Sequence, residues 1–151
     1  MNLKEAKLKP QSRRHYFFLN PYSDAAFTKC PRCQTSTLVR KFPLVIHIKP
    51  QQIFILNKRC CYCARCDLII ARKSEVETVM TACFEERNPE IVGNDYLIMG
   101  TLEKRTWRAR NSIDNDVNTL KRMYVFRDVW DFQPISRGWY PEKNGNNKST
   151  T

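Results

Sequence analysis

Apolar positions along this chain change their spacing several times, and each change marks an element. Two runs rich in β-branched residues, STLVRKFPLVIHIKP and QQIFILNKRCCYC, are separated by the turn Lys49-Pro50-Gln51-Gln52 and predict a β-hairpin. Within it Leu44, Ile46 and Ile48 alternate with Val45 and His47, so one face is strongly apolar and the other mixed. Upstream, RRHYFFLNPYSD, from Arg13, sets two arginines before a run of aromatics and ends in an Asn-Pro turn; it predicts a short strand with Tyr16, Phe17 and Phe18 in the core. After the hairpin, RCDLIIAR resumes an apolar strand. From Ser74 the period becomes helical: Val76, Val79, Met80, Cys83 and Phe84 form one stripe, Ser74 and Glu77 have the spacing of a capping box, and Asn88-Pro89 stops the helix. A helix this short is marginal alone in water, so its stripe should cover a sheet face. A turn at Gly93-Asn94-Asp95 then leads into a buried strand from Tyr96 to Leu102. Beyond Asn111 the pattern weakens to a short helix near Asp114 to Arg122 and a strand through Phe132, with Trp130 and Phe132 in the core. The expected class is α+β: a hairpin extended by further antiparallel strands, with one main amphipathic helix packed on the sheet.

A chain of 151 residues suits one domain, expected over 13–139 between a mobile basic arm (1–12) and a polar, disordered tail (140–151). No window reaches the roughly 18 apolar residues of a membrane span, and the start has no apolar stretch like that of a signal peptide, so the chain reads as cytoplasmic. The charge is +11, and its position matters more than its size. Residues 1–20 hold +4 of it and 21–80 hold +6, which concentrates the excess in the first half. Such asymmetry attracts polyanions, of which nucleic acid is the commonest in cytosol.

The cysteines supply the chemistry. Cys30/Cys33 in TKCPRCQT and Cys63/Cys66 in CCYCARCDL are two Cys-x-x-Cys pairs. Each sets two thiolates on one tight turn, where both sulfurs can reach about 2.3 Å from a single ion, and the hairpin between them returns both pairs to one end of a ribbon. Four sulfurs close the site, leaving no position for an activated water, so the single zinc ion expected here is structural. Cys60 leaves an alternative open, because Cys60/Cys63 has the same spacing and Cys60 could replace Cys63 or Cys66. The strand that resumes after Cys66 favours Cys63 and Cys66. Cys60, Cys61 and Cys83 otherwise read as small buried hydrophobes or spare thiols, and neither His15 nor His47 is given a role. Gln34 and Asp67 follow the two pairs, at positions where a left-handed backbone would favour glycine; Asp tolerates that conformation better than Gln.

Two cysteine turns joined by a hairpin, from about Thr28 to Ala71, resemble the zinc ribbon, a module of transcription, replication, translation and RNA-processing proteins. The gap from Cys33 to Cys63 exceeds the roughly 15–20 residues of the commonest pattern, which a longer hairpin absorbs. Over the stretch FFLNPYSDAAFTKC to GNDYLIMGTL the chain also resembles uncharacterised bacterial proteins built around such a ribbon, a likeness that brings no activity with it.

Enzyme signatures are missing: the sequence has no phosphate-cradling Gly-rich loop, no HExxH, no G-x-S-x-G, and no H-x-E element of the kind a zinc deaminase needs. CPRC alone would suit a thiol-disulfide oxidoreductase, but the second pair and the lack of a βαβ pattern argue against it. The expectation is therefore a non-enzyme with no small-molecule substrate, binding nucleic acid through its basic half. Arg13, Arg14, Lys41, Lys49, Lys58 and Arg59 would neutralise phosphates, and Trp107, flanked by Arg105 and Arg108, would stack on a base. The alternative is a zinc-stabilised protein-interaction adaptor, or a small subunit of a larger complex, whose positive face meets an acidic protein.

Overall fold

The computed structural model describes residues 12–109 and 121–133. The expected basic arm apart from Ser12, the helix expected from Asp114 as far as residue 120, and the tail over 140–151 lie outside them. Among the described residues seven strands form one mixed sheet: β1 (Tyr16–Asn20), β2 (Leu38–Ile48), β3 (Gln52–Cys63), β4 (Leu68–Arg72), β5 (Tyr96–Thr101), β6 (Tyr124–Val125) and β7 (Asp128–Val129), in the spatial order β6-β5-β2-β3-β4-β1-β7. Helix α1 (Lys73–Phe84) is the main helix, and α2 (Lys104–Ala109) is a short one after β5.

β2 and β3 form the hairpin that the alternation predicts, in unbroken antiparallel register from Leu38 opposite Tyr62 to Ile48 opposite Gln52. The extension is not antiparallel throughout, however. β1 lies parallel to both β4 and β7. Parallel neighbours need a long crossover, and residues 21–37 provide one. They carry the chain from β1 over β4 and β3 to the start of β2, and the first cysteine pair sits inside that crossover.

The crossover and α1 cover opposite faces of the sheet. Leu44, Ile46 and Ile48 of β2, Phe54, Cys60 and Tyr62 of β3, and Ile69 and Ala71 of β4 pack with Val76, Met80 and Phe84 of α1. Residues of the other parity point away: Val45, Ile53 and Ile55 meet Leu102 and Met123, while Cys63, Leu68 and Ile70 meet Phe18, Ala25, Phe27 and Cys30. Phe17 and Phe18, adjacent in β1 and each 1% exposed, are split between the two faces, and Tyr16 stacks on half-buried Trp130 at 4.1 Å.

Three local expectations need correction. The capping box does not form: Arg72, still extended at φ −84°, precedes the first helical residue, and Ser74 falls inside the first turn. α1 begins directly where β4 ends, so Glu77 bonds instead to Lys73 Nζ at 2.6 Å and accepts from Tyr96 Oη at 2.7 Å. β5 is not buried throughout, since β6 pairs only with Gly100 and Thr101, and Leu97 is left 58% exposed. In place of one strand through Phe132 there are the two-residue strands β6 and β7, which pair with opposite ends of the sheet.

Candidate metal centre

The sulfur atoms of Cys30, Cys33, Cys63 and Cys66 all lie within 4.8 Å of one another. Cys30 Sγ is 3.8 Å from Cys66 Sγ, and Cys33 Sγ is 3.6 Å from Cys63 Sγ. Sulfurs placed about 2.3 Å from a central ion at tetrahedral corners would be separated by about 3.8 Å, whereas a disulfide needs about 2.05 Å. The cluster thus has the spacing to hold a single metal ion, and the pairs that face each other come from different turns.

Local hydrogen bonding explains why the chain folds this way. In the first turn Lys29 bridges Ser36, Cys30 N donates to Thr35 O at 2.8 Å and Gln34 N donates to Cys30 O at 2.9 Å. The second pair lies in the turn between β3 and β4, whose last rung is Cys63 opposite Leu68. Each turn also aims an amide at a sulfur: Arg32 N at Cys30 Sγ and Cys66 N at Cys63 Sγ, both 3.3 Å. The backbone then leaves each turn through the left-handed region, with φ of 66° at Gln34 and 59° at Asp67, as expected of the positions after each pair. Without metal, hydrogen bonds from the side chain and backbone of Thr35 bring the Cys33 thiol down to about 6, while burial raises that of Cys30. Four thiolates around a dication would leave net negative charge, and the two turns carry the exposed cations Lys29, Arg32 and Arg65.

Cys60 is outside the cluster. Three residues before Cys63 on a strand, it faces the other side of the sheet, where it is 4% exposed in the core under α1 and burial pushes its thiol up to about 12.

The residues expected to meet nucleic acid do not form one patch. Lys41 and Arg59 are exposed and directly opposite each other across β2 and β3. Lys58 differs from the expectation: its even position turns it under α1, where its side chain is 13% exposed and bonds Glu75 at 2.7 Å. Trp107 is half-buried against the Val45 and Ile53 cluster, so its ring does not stand clear as a stacking platform. Lys49 lies at the far end of the hairpin, 4.0 Å from Asp95. Arg13 donates to Phe126 O at 3.0 Å, and Arg108 is exposed on α2. Arg14 and Arg105, far apart in sequence, line one cavity of about 410 Å³ together with Arg40 and Lys104.

That cavity contains the groups that sequence reasoning missed. His15 is buried with φ of 71°, and its Nδ1 donates to Asp67 Oδ1 at 2.6 Å. Tyr62 Oη donates to the same oxygen at 2.6 Å. Burial alone would raise the Asp67 carboxyl, but the Tyr62 and His15 hydrogen bonds outweigh it and hold the group below its usual range; the imidazole proton therefore resides on Nδ1. For His15 burial wins over Asp67, lowering it below 6.5. The one sequence signal for this arrangement is Asp67 itself, an acidic residue at a left-handed position.

No helix among the described residues is long and apolar enough to cross a membrane. In comparisons with known proteins, no family model, no curated protein and no solved structure gives a significant match to this chain.

Proposed function

We propose that this chain is a non-catalytic zinc-ribbon protein that binds nucleic acid through its basic N-terminal half. One structural zinc ion held by Cys30, Cys33, Cys63 and Cys66 fixes the strand ends. An all-sulfur tetrahedral donor set suits zinc, and such sites add on the order of 10 kcal/mol to folding. Seven free thiols with four at this spacing fit a reducing compartment such as the cytoplasm.

The observation that carries the nucleic-acid reading is the cross-strand pair Lys41 and Arg59. Like charges directly opposite each other weaken a sheet, so this pair does nothing for folding, yet it suits a phosphate backbone laid across the hairpin. Arg59, Cys61 and Cys63 share one face of β3, which sets the cations on the side of the hairpin that the metal rigidifies. Binding to single-stranded DNA, duplex DNA and RNA across a salt series tests this. Affinity should fall linearly in log salt, with a shallower slope for Lys41→Gln/Arg59→Gln; no binding at low salt with metal present sinks it. Native mass spectrometry should find one zinc per chain, retained in Cys60→Ala and lost in Cys30→Ser/Cys33→Ser.

A protein-interaction adaptor is the second reading. β5 pairs with β2 only from Leu44, leaving the outer edge of β2 from Leu38 to Phe42 without a strand partner among the described residues, with Leu38 54% and Val39 60% exposed. An added strand from a partner would fit there, and binding to one protein with indifference to polyanions would favour it.

A further inference from the structure

We propose that the cavity between the start of β1, the outer half of β2 and the start of α2 binds a phosphomonoester, either the terminal phosphate of a nucleic-acid strand or that of a free nucleotide. The inference deepens the nucleic-acid reading in its first form and stands without it in its second. Four cations line the cavity: Arg14, Arg40, Lys104 and Arg105. The two carboxylates that also line it are already engaged. Asp67 accepts from His15 and Tyr62, and Glu103 accepts from Tyr124 Oη at 2.9 Å and lies 3.7 Å from Arg105. Among the described residues no carboxylate pairs with Arg40 or Lys104. The uncommitted charged groups of the cavity are therefore positive, and a concave surface concentrates their field.

Two of the guanidiniums are held ready. Arg40 lies over the Phe42 and Tyr62 rings, 5.2 and 5.0 Å from their centroids, and Arg14 lies 4.9 Å from the Tyr124 centroid. Stacking on rings fixes the plane of each fork before a ligand arrives, which lowers the ordering cost of binding. The wall beneath is rigid, because Asp67 ties Tyr62 to His15 and the His15 ring packs edge-on against Phe42 at 5.5 Å. Planar forks match phosphate oxygens in pairs. A phosphomonoester carries about −1.5 to −2 charge at pH 7, more than an internal phosphodiester or a carboxylate offers such a cluster. At about 410 Å³ the cavity also has room for more than the phosphate itself.

The test compares a short single-stranded oligonucleotide carrying a 5′-phosphate with the same strand ending in 5′-hydroxyl, and adenosine 5′-monophosphate with adenosine, all with the zinc-loaded chain. At least one phosphorylated probe should bind about tenfold tighter than its unphosphorylated match, the ratio that a single charge-assisted hydrogen bond supplies. Arg40→Gln/Arg105→Gln and, separately, Lys104→Gln/Arg105→Gln should abolish that difference while the amide NMR spectrum shows an intact fold. If neither probe pair discriminates, or if discrimination survives both double variants, the inference is wrong. Equal binding of both strands with no nucleotide binding overturns the inference and leaves the nucleic-acid reading standing. Nucleotide binding without strand binding does the reverse.

Discussion

Gln34 and Asp67 occupy the same backbone conformation for the same reason, but they use it differently. At φ of 66° and 59° both sit where a Cβ costs about 1–2 kcal/mol, and each does so because the chain must turn sharply away from a cysteine pair. Asp67 recovers that cost by accepting three hydrogen bonds, from His15 Nδ1, His15 N and Tyr62 Oη. Gln34 is exposed, and its backbone conformation is all that the turn needs from it. Gln34→Gly should therefore raise the stability of the metal-loaded protein by about 0.5–1 kcal/mol in thermal unfolding, the relief being tempered by glycine's greater freedom when unfolded. Asp67→Gly should destabilise it instead, because it takes the acceptor from all three of those donors, at about 1–3 kcal/mol for each one left unsatisfied. A second residue-scale prediction concerns acid. Burial depresses His15 below 6.5 in the fold, so the unfolded chain binds the proton more readily. The stability tied to neutral His15 is present in full above 6.5 and is lost as pH falls from there through the lower folded-state value. The imidazole Cε1 proton of His15, followed by NMR, should titrate with a midpoint below 6.5; a midpoint above it would contradict the burial described.

Packing rather than capping holds α1 in place. Its N-terminus has no side-chain cap, while Val76, Met80 and Phe84 are buried against Ile46, Phe54 and their neighbours. Ser74→Ala should change stability by less than about 0.5 kcal/mol, since the hydroxyl caps nothing. Val76→Ala removes two methyl groups from a fully buried position and should cost about 2 kcal/mol or more. Denaturant midpoints of the two variants settle the contrast, and equal losses would restore the capping box. The apolar stripe was legible from the sequence because a helix repeats every 3.6 residues whatever it packs on. The start of the helix was not legible, because a strand running straight into it supplies Arg72 where Ser74 had the better capping chemistry. For the same reason the β2–β3 hairpin could be read from alternation alone, whereas the parallel pairing of β1 with β4 could not. Adjacent strands announce each other by their spacing, but Tyr16 and Leu68 become partners only after the crossover of residues 21–37 and the whole β2–β3 hairpin that follows it.

Across the whole molecule the metal site is one of the devices that cover the sheet. Cys30 and Cys63, each 0% exposed, are packed among Phe18, Phe27, Leu68 and Ile70, so an ion there would hold the crossover down on the face opposite α1. Chelation should therefore loosen that face first. Hydrogen exchange at Phe18, Leu68 and Ile70 should accelerate by at least about tenfold on metal removal, and exchange at Leu44 and Ile46 under α1 should change much less; uniform acceleration would mean that the ion supports both faces equally. The cluster of four cysteines was legible in the sequence because two residues between thiolates is a constraint local to each turn. The cationic cavity was hidden because it gathers Arg14, Arg40, Asp67 and Lys104 from four separate elements, and no spacing records that. The two centres are nonetheless one peptide bond apart, since Cys66 gives its sulfur to the cluster and Asp67 gives its carboxylate to His15 and Tyr62. Loss of an ion from that sulfur would therefore loosen the turn that seats the carboxylate and, through His15 and Tyr62, the cavity wall beneath the arginines.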